Sequence, residues 1–142
     1  MTALPAGGIV LDLSAAVAII TGEQGYESLD SALEGAPVRL MSAATRVELA
    51  IVIESRLGPA GVDVVDRFIR EAGLDLVDVD GEAVGRAIGA WRRYGKGRHP
   101  AGLNFGDCFT YALAERTGFR VACTGGDFAA TDLDVIRPSV AG

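Results

Sequence analysis

The chain has 142 residues, 49% of them hydrophobic and 23% charged, and its formal net charge is −6. This composition predicts one globular domain over residues 1–142 and argues against a broadly basic surface for binding nucleic acid. We find no signal peptide and no apolar stretch long enough to cross a bilayer, and two cysteines without ligand spacing suit a reducing cytoplasm.

Segments with strand-like and helix-like apolar periodicity alternate along the chain. We predict strands at 9–11, 38–41, 74–79, 119–123 and 135–136. We predict helices at 14–21, 24–33, 42–57, 59–72, 82–94 and 104–117, with Ser14, Ser42 and Asn104 as N-caps. Strands separated by helices indicate an α/β fold whose mainly parallel sheet is covered on both faces.

Asp12 directly follows the first predicted strand and precedes the first predicted helix. Ligand sites in parallel α/β sheets lie just outside the carboxyl ends of the strands, so we expect Asp12 at such a site. A desolvated carboxylate without a partner is energetically costly. Asp12 therefore needs a partner.

Glu48 and Asp127 fall near the same predicted edge of the sheet. Glu48 lies early in the helix after the second strand, where a surface glutamate shielded by a neighbouring arginine is the alternative. Asp127 follows two glycines after the fourth strand, where a simple turn residue is the alternative. Neither residue identifies a site by itself.

Asp107 takes the third position of a helix that Asn104 is predicted to cap. An acid there complements the helix dipole and can reach back to the cap, so a capping role competes with a functional one. The preceding residue, Gly106, is a poor helix former. We expect glycine there if another group must approach the backbone closely.

Clustered carboxylates repel one another, which raises their pKa values unless cations neutralise them. Hard oxygen ligands without nearby histidine or cysteine select Mg²⁺ or Mn²⁺, and such ions assist phosphodiester hydrolysis. The pattern therefore predicts metal-dependent cleavage of nucleic acid. The predicted catalytic and metal-binding residues are Asp12, Glu48, Asp107 and Asp127.

Three segments, at 9–15, 41–50 and 94–108, resemble the PIN-domain ribonucleases, and most closely the VapC toxins of bacterial toxin–antitoxin pairs. The third segment is long and therefore specific, and the resemblance covers nearly the whole chain. It implies a three-layer α/β/α sandwich, Mg²⁺ or Mn²⁺ dependence, cleavage of RNA, homodimerisation and inhibition by a VapB-type antitoxin. On the family's pattern, the first three acidic positions are Asp12, Glu48 and Asp107, and Ser14 matches the Ser/Thr that supports the first Asp.

The fourth acidic position departs from the family's Asp-x-Asp-Phe motif, because the chain has Gly125-Gly126-Asp127-Phe128 there. Only the second Asp of the motif is present, so Asp127 could contribute weakly to metal binding or could contact the metal ligands without binding the metal itself. The departure leaves open an alternative function, a PIN-like module that binds RNA or a protein partner with weak or no catalysis.

One dense basic segment occupies residues 92–99. A solvated helix end is the ordinary interpretation, and contact with substrate phosphates is the functional one. We assign Arg93, Lys96 and Arg98, together with Ser14, to substrate binding. We do not expect the only histidine, His99, to act as a general base.

A phosphoacceptor role for Asp12, as a nucleophile, is a further alternative. It is disfavoured because Ser14 stands two residues on, where such enzymes carry a second Asp. The chain also lacks a lysine at the end of a late predicted strand.

Overall fold

A computed structural model describes residues 7–139 and arranges them as a parallel sheet between two layers of helices. The sheet has five strands: β1 (Ile9–Leu11), β2 (Arg39–Ser42), β3 (Asp75–Val77), β4 (Arg120–Ala122) and β5 (Val135–Ile136). Their order in the sheet is β3-β2-β1-β4-β5, and every pairing is parallel. The first strand of the chain is therefore the central one.

Six α-helices are present within the described residues: α1 (Leu13–Thr21), α2 (Tyr26–Gly35), α3 (Ala43–Leu57), α4 (Gly61–Glu71), α5 (Gly81–Tyr94) and α6 (Phe105–Thr117). Short 3₁₀ turns occupy Gly58–Ala60 and Phe128–Ala130. No helix in this part of the chain is both long and apolar enough to cross a membrane.

The central strand β1 is buried on both faces. Ile9 and Leu11 pack into one core with residues of α1 to α4, whereas Val10 packs into a second core with α5 and α6. Successive side chains of a strand point to opposite faces, so a continuous apolar run supplies both cores. The predicted α/β class and the three-layer sandwich are confirmed.

The N-terminus of α1 differs from the prediction. The helix begins at Leu13, and its N-cap is Asp12, whose side chain accepts a hydrogen bond from the Ser14 backbone N–H at 3.1 Å. The predicted cap, Ser14, lies inside the first turn. Asp12 takes the capping position because β1 ends at Leu11, which leaves Asp12 in an extended conformation directly before the helix.

Other predicted boundaries also differ, mostly by one or two residues, and two of the differences have a clear local cause. Pro59 lies in the 3₁₀ turn Gly58–Ala60 and not in the first turn of α4. Strand β3 is three residues long, not six, because its register pairs Val77 with Ser42. The chain turns into α3 after Ser42, so β3 has no partner strand beyond that point.

Candidate active site

An acidic cleft of about 440 Å³ lies at the carboxyl ends of β1 and β4, beside the middle and C-terminal turns of α3 and the first turn of α6. All four acidic residues predicted from the sequence line it: Asp12, Glu48, Asp107 and Asp127. The parallel topology explains why they meet, since it places the residues that follow each strand at the same edge.

Asp12 is the most buried acid of the cleft, with 4% of its surface exposed. Its Oδ1 accepts a hydrogen bond from the Thr110 hydroxyl at 2.8 Å. Its Oδ2 accepts from the Ser14 hydroxyl at 2.7 Å and from the Ser14 N–H at 3.1 Å. The partner that this buried carboxylate requires is therefore a set of hydroxyl and helix-terminal donors.

Asp107 combines the two roles considered for it. It forms a capping box with Asn104: its N–H donates to Asn104 Oδ1 at 2.8 Å, and its Oδ2 accepts from the Asn104 N–H at 3.0 Å. Burial nevertheless raises the pKa of Asp107 to about 7, against the lowering effect of the Asn104 N–H. The negative charges of Asp12, Asp127 and Glu48 make smaller contributions to this rise.

Glu48 projects from α3 toward the start of α6. Its carboxylate lies against Gly106, where a Cβ added to the glycine would stand 2.6 Å from Oε2 and closer still to Oε1. The close approach expected at Gly106 is thus made by Glu48. Burial, followed by the negative charge of Asp12, raises the pKa of Glu48.

Asp127 is exposed and directly precedes the 3₁₀ turn Phe128–Ala130, which it does not cap through its side chain. Two residues earlier, where the family motif has its first Asp, Gly125 has a φ of +72°. This left-handed conformation favours glycine. Asp127 is close enough to affect Asp107 electrostatically, and it is the least enclosed acid of the four.

The four acids supply donor atoms of a suitable kind for a metal ion, but their side chains do not surround one common point. Within residues 7–139, no three Asp, Glu, His or Cys side chains already stand close enough to hold one metal ion. The donors are nevertheless hard carboxylate oxygens in one cleft, and burial and mutual repulsion raise the pKa values of two of them. These donors have the chemistry that a hard divalent cation requires.

Sequence reasoning missed two charged residues that line the cleft, Glu23 and Arg56. Arg56 lies eight positions after Glu48 on α3, so helical spacing places both on one face and could have revealed it. Glu23 lies in the connection after α1 and reaches the cleft only through the path of that loop. No local pattern distinguishes it.

Of the residues predicted to bind substrate, only Ser14 lines the acidic cleft. Its hydroxyl donates to Asp12 and accepts from the Thr124 N–H at 3.0 Å. Arg93 instead donates to the Tyr111 hydroxyl at 3.2 Å and pairs with Asp132 at 3.3 Å. These contacts join α5 to α6 and to the segment before β5.

Lys96 and Arg98 lie in the loop beside an apolar groove of about 610 Å³. Lys96 lines this groove, which shares Asn104 with the acidic cleft. The Arg98 guanidinium lies 4.7 Å from the centre of the Trp91 ring and donates to a backbone carbonyl of α5. Neither cation lines the acidic cleft; Lys96 lines the adjoining groove, and Arg98 lies against Trp91 of that groove.

Comparison with known proteins places this chain among characterised relatives. A family model described as PIN domain matches residues 9–133. The chain is 48% identical to Ribonuclease VapC of Mycolicibacterium smegmatis over 129 residues, which cover 91% of this chain and 100% of the relative. It is 43% identical to Ribonuclease VapC30 of Mycobacterium tuberculosis over 128 residues, covering 90% and 98% of the two chains.

A solved structure supports the fold independently of close sequence similarity. Mycobacterium tuberculosis VapC20, described as a sarcin–ricin loop cleaving toxin, superposes with a TM-score of 0.73 at 19% identity. The match covers 92% of this chain and 99% of that one. At this identity, the likeness shows the fold alone.

Proposed function

The chain belongs to the PIN-domain family and, within it, to the VapC proteins, and from this membership we propose that it is a metal-dependent endoribonuclease acting as the toxin of a toxin–antitoxin pair. One observation carries the proposal: the four acids predicted from separate segments line a single cleft. Such a cluster is unfavourable by itself and is suited to binding cations.

Asp12, Glu48 and Asp107 would hold the divalent cation, Mg²⁺ or Mn²⁺, with Asp127 contributing from the rim. A bound cation would supply the Lewis acid that activates water and stabilises charge on the phosphodiester. The chain itself orients the acids: Asp12 is held by three hydrogen bonds, and Asp107 is held at the start of α6. Because its pKa is about 7, Asp107 loses its proton close to neutral pH.

The phosphates of the RNA require cations near the acidic cleft. Lys96 lines the groove that shares Asn104 with the cleft, Arg98 lies against Trp91 of that groove, and Arg56 lines the cleft directly. We propose that these side chains contact the substrate backbone and that Ser14 contributes by holding Asp12. Arg93, which is engaged with Tyr111 and Asp132, would have to leave these partners to contact RNA.

The proposal includes two protein partners and a cytoplasmic location, where RNA is available. A homodimer is supported by an exposed apolar face on α5 and α6, formed by Val84, Ile88, Trp91 and Phe105. Inhibition by a VapB-type antitoxin follows from membership of the VapC proteins. A solved structure of similar fold is a DNA-bound VapBC of Salmonella typhimurium, at 18% identity and a TM-score of 0.74, covering 93% of this chain and 98% of that one.

The test is cleavage of structured RNA by the purified protein with Mg²⁺, with Mn²⁺ or with EDTA. Asp12→Asn and Asp107→Asn should each lower the cleavage rate at least roughly 100-fold, as removal of a charged catalytic group commonly does. Asp63→Asn, at an exposed position of α4 away from the cleft, is the matched control. Equal cleavage by the wild type and both site variants would refute the assigned site.

The same measurement addresses the alternative of a binding module, which the glycine at position 125 favours. RNA binding and metal binding without turnover, under any divalent ion, would establish that alternative. Turnover that requires a divalent ion would exclude it.

A further inference from the structure

Five residues form one hydrogen-bonded chain beneath the acidic cleft, and we call it the polar chain: Thr45, Thr110, Asp12, Ser14 and Thr124. The Thr45 and Thr110 hydroxyl oxygens are 3.4 Å apart, and Thr110 donates to Asp12 Oδ1 at 2.8 Å. On the other side, Ser14 donates to Asp12 Oδ2 at 2.7 Å and accepts from the Thr124 N–H at 3.0 Å. The chain thus reaches Asp12 from two directions.

The direction of each hydrogen bond follows from the number of protons available. An ionised carboxylate only accepts, so the single hydroxyl proton of Thr110 goes to Asp12. Thr110 must therefore accept from Thr45 in the bond between the two hydroxyls. Ser14 is constrained in the same way, since it donates to Asp12 and accepts from a backbone N–H. Every donor of the polar chain points toward Asp12.

Each threonine of the polar chain lies three residues from another acid of the site. Thr45 precedes Glu48 on α3, and Thr110 follows Asp107 on α6. Residues three apart on a helix share a face. Thr124 likewise stands three residues before Asp127, in the loop after β4. The polar chain therefore joins all four segments that carry the acids.

Packing alone does not account for the threonines. Thr45 is 1% exposed and Thr110 is 0% exposed, and most of the other buried side chains of α3 and α6 are apolar. A buried hydroxyl costs free energy unless it is hydrogen-bonded, and a valine of the same shape would fill the same space. Their side-chain partners among the described residues are each other and Asp12.

We propose that Thr110, supported by Thr45, is a positioning residue that fixes the orientation in which the Asp12 carboxylate binds a divalent cation. This inference rests on the proposed metal-dependent function. Ser14 alone would hold one oxygen and leave the carboxylate free to turn. The second anchor at Oδ1 removes this freedom. The three donors occupy three of the roughly four lone-pair positions of the carboxylate and so fix its orientation at the cleft.

The test is the affinity for Mn²⁺ alone, measured by calorimetry on the full chain, beside the kinetics of RNA cleavage. Thr110→Val removes the hydroxyl and keeps the shape, and it should weaken Mn²⁺ binding about 10-fold, as loss of a hydrogen bond to a metal ligand commonly does. kcat should fall while KM for RNA stays unchanged, because the variant leaves substrate contacts intact. Thr110→Ser restores the hydroxyl and should restore both quantities.

Thr117→Val is the matched control, because it makes the same change on the same helix outside the polar chain. Thr117 donates to the Leu113 carbonyl at 2.8 Å, so this variant should lose stability without losing Mn²⁺ affinity. Should Thr110→Val fail to fold, Thr45→Val replaces it, with a smaller loss of affinity expected because only the outer donor is removed.

If Thr110→Val and Thr45→Val both kept the wild-type affinity for Mn²⁺, the inference would be overturned. It would also be overturned if Thr117→Val lost as much Mn²⁺ affinity as Thr110→Val. In either case, RNA cleavage by the wild type would leave the proposed function standing. A wild type that neither binds Mn²⁺ nor cleaves RNA would refute the proposed function and the inference together.

Discussion

The Glu48 carboxylate lies against the backbone of Gly106, the residue that precedes Asp107 on α6. Two acids of the cleft are thereby brought together by the absence of a side chain between them. Glycine inside a helix usually costs stability relative to alanine. At this position its cost is offset by the room that it leaves for Glu48.

Gly106→Ala should therefore lower the cleavage rate about 10-fold or more, because the added methyl group would displace the Glu48 carboxylate from the site. Thermal unfolding, followed in parallel, would show whether the fold is retained. Gly89→Ala on α5 is the matched control, since nothing lies within 4 Å of a Cβ there. It should stabilise the protein by about 0.5–1 kcal/mol and leave cleavage unchanged. Full activity in Gly106→Ala would contradict the placement of Glu48.

At the scale of an element, a side chain caps the N-terminus of both α5 and α6, but only the α6 cap contacts a residue of the cleft. Asp80 caps α5 by accepting from the Ala83 N–H at 2.9 Å, and it also contacts Arg116 at 3.2 Å. Asn104 caps α6 through the N–H of Asp107, which lines the cleft. The first cap supports a helix, and the second also holds a residue of the site.

Asn104→Ala and Asp80→Ala should each lower the free energy of unfolding by about 1 kcal/mol through loss of a cap. Only Asn104→Ala should also weaken Mn²⁺ binding and slow RNA cleavage, since loss of the Asn104 Oδ1 acceptor loosens the first turn of α6, which carries Asp107. Denaturant unfolding and cleavage rates on both variants check this. If the two variants lose activity equally, the second role of the α6 cap is wrong.

The caps also show which features sequence alone could predict. The Asn104 cap and the position of Asp107 were predictable because a capping box is local to one helical turn. The cap of α1 was predicted wrongly because Asp12 and Ser14 are both good caps, and only the end of β1 at Leu11 decides between them. Thr110 could not be assigned to the site, because its contact with Asp12 joins residues 98 positions apart.

At the scale of the whole molecule, the helical layer of α5 and α6 exposes apolar side chains. Ile88 is 44% exposed, Trp91 48% and Phe105 82%, and all three line the groove beside the acidic cleft. An exposed apolar face of this kind marks an interaction surface. A second copy of the chain on this face would place two acidic clefts near one interface.

Ile88→Asp should convert the homodimer to a monomer, because it places an unpaired charge within the apolar face. Size-exclusion chromatography with light scattering measures the change. Val62→Asp makes the same substitution at an exposed position of α4, where Val62 is 49% exposed, and should leave the dimer intact. A wild type that is monomeric, or a dimer in both variants, would show that this face is not the interface.

The polar chain has a consequence for folding. Its hydrogen bonds join Asp12 to Thr110 and Ser14 to Thr124, which are 98 and 110 positions apart. Contacts of such sequence separation form only after the entropy of closing long loops has been overcome. No fragment confined to one half of the chain contains the site, and it assembles only when β1 and β4 have paired in the centre of the sheet. Nuclease activity and the cooperative fold are thus gained and lost in the same transition.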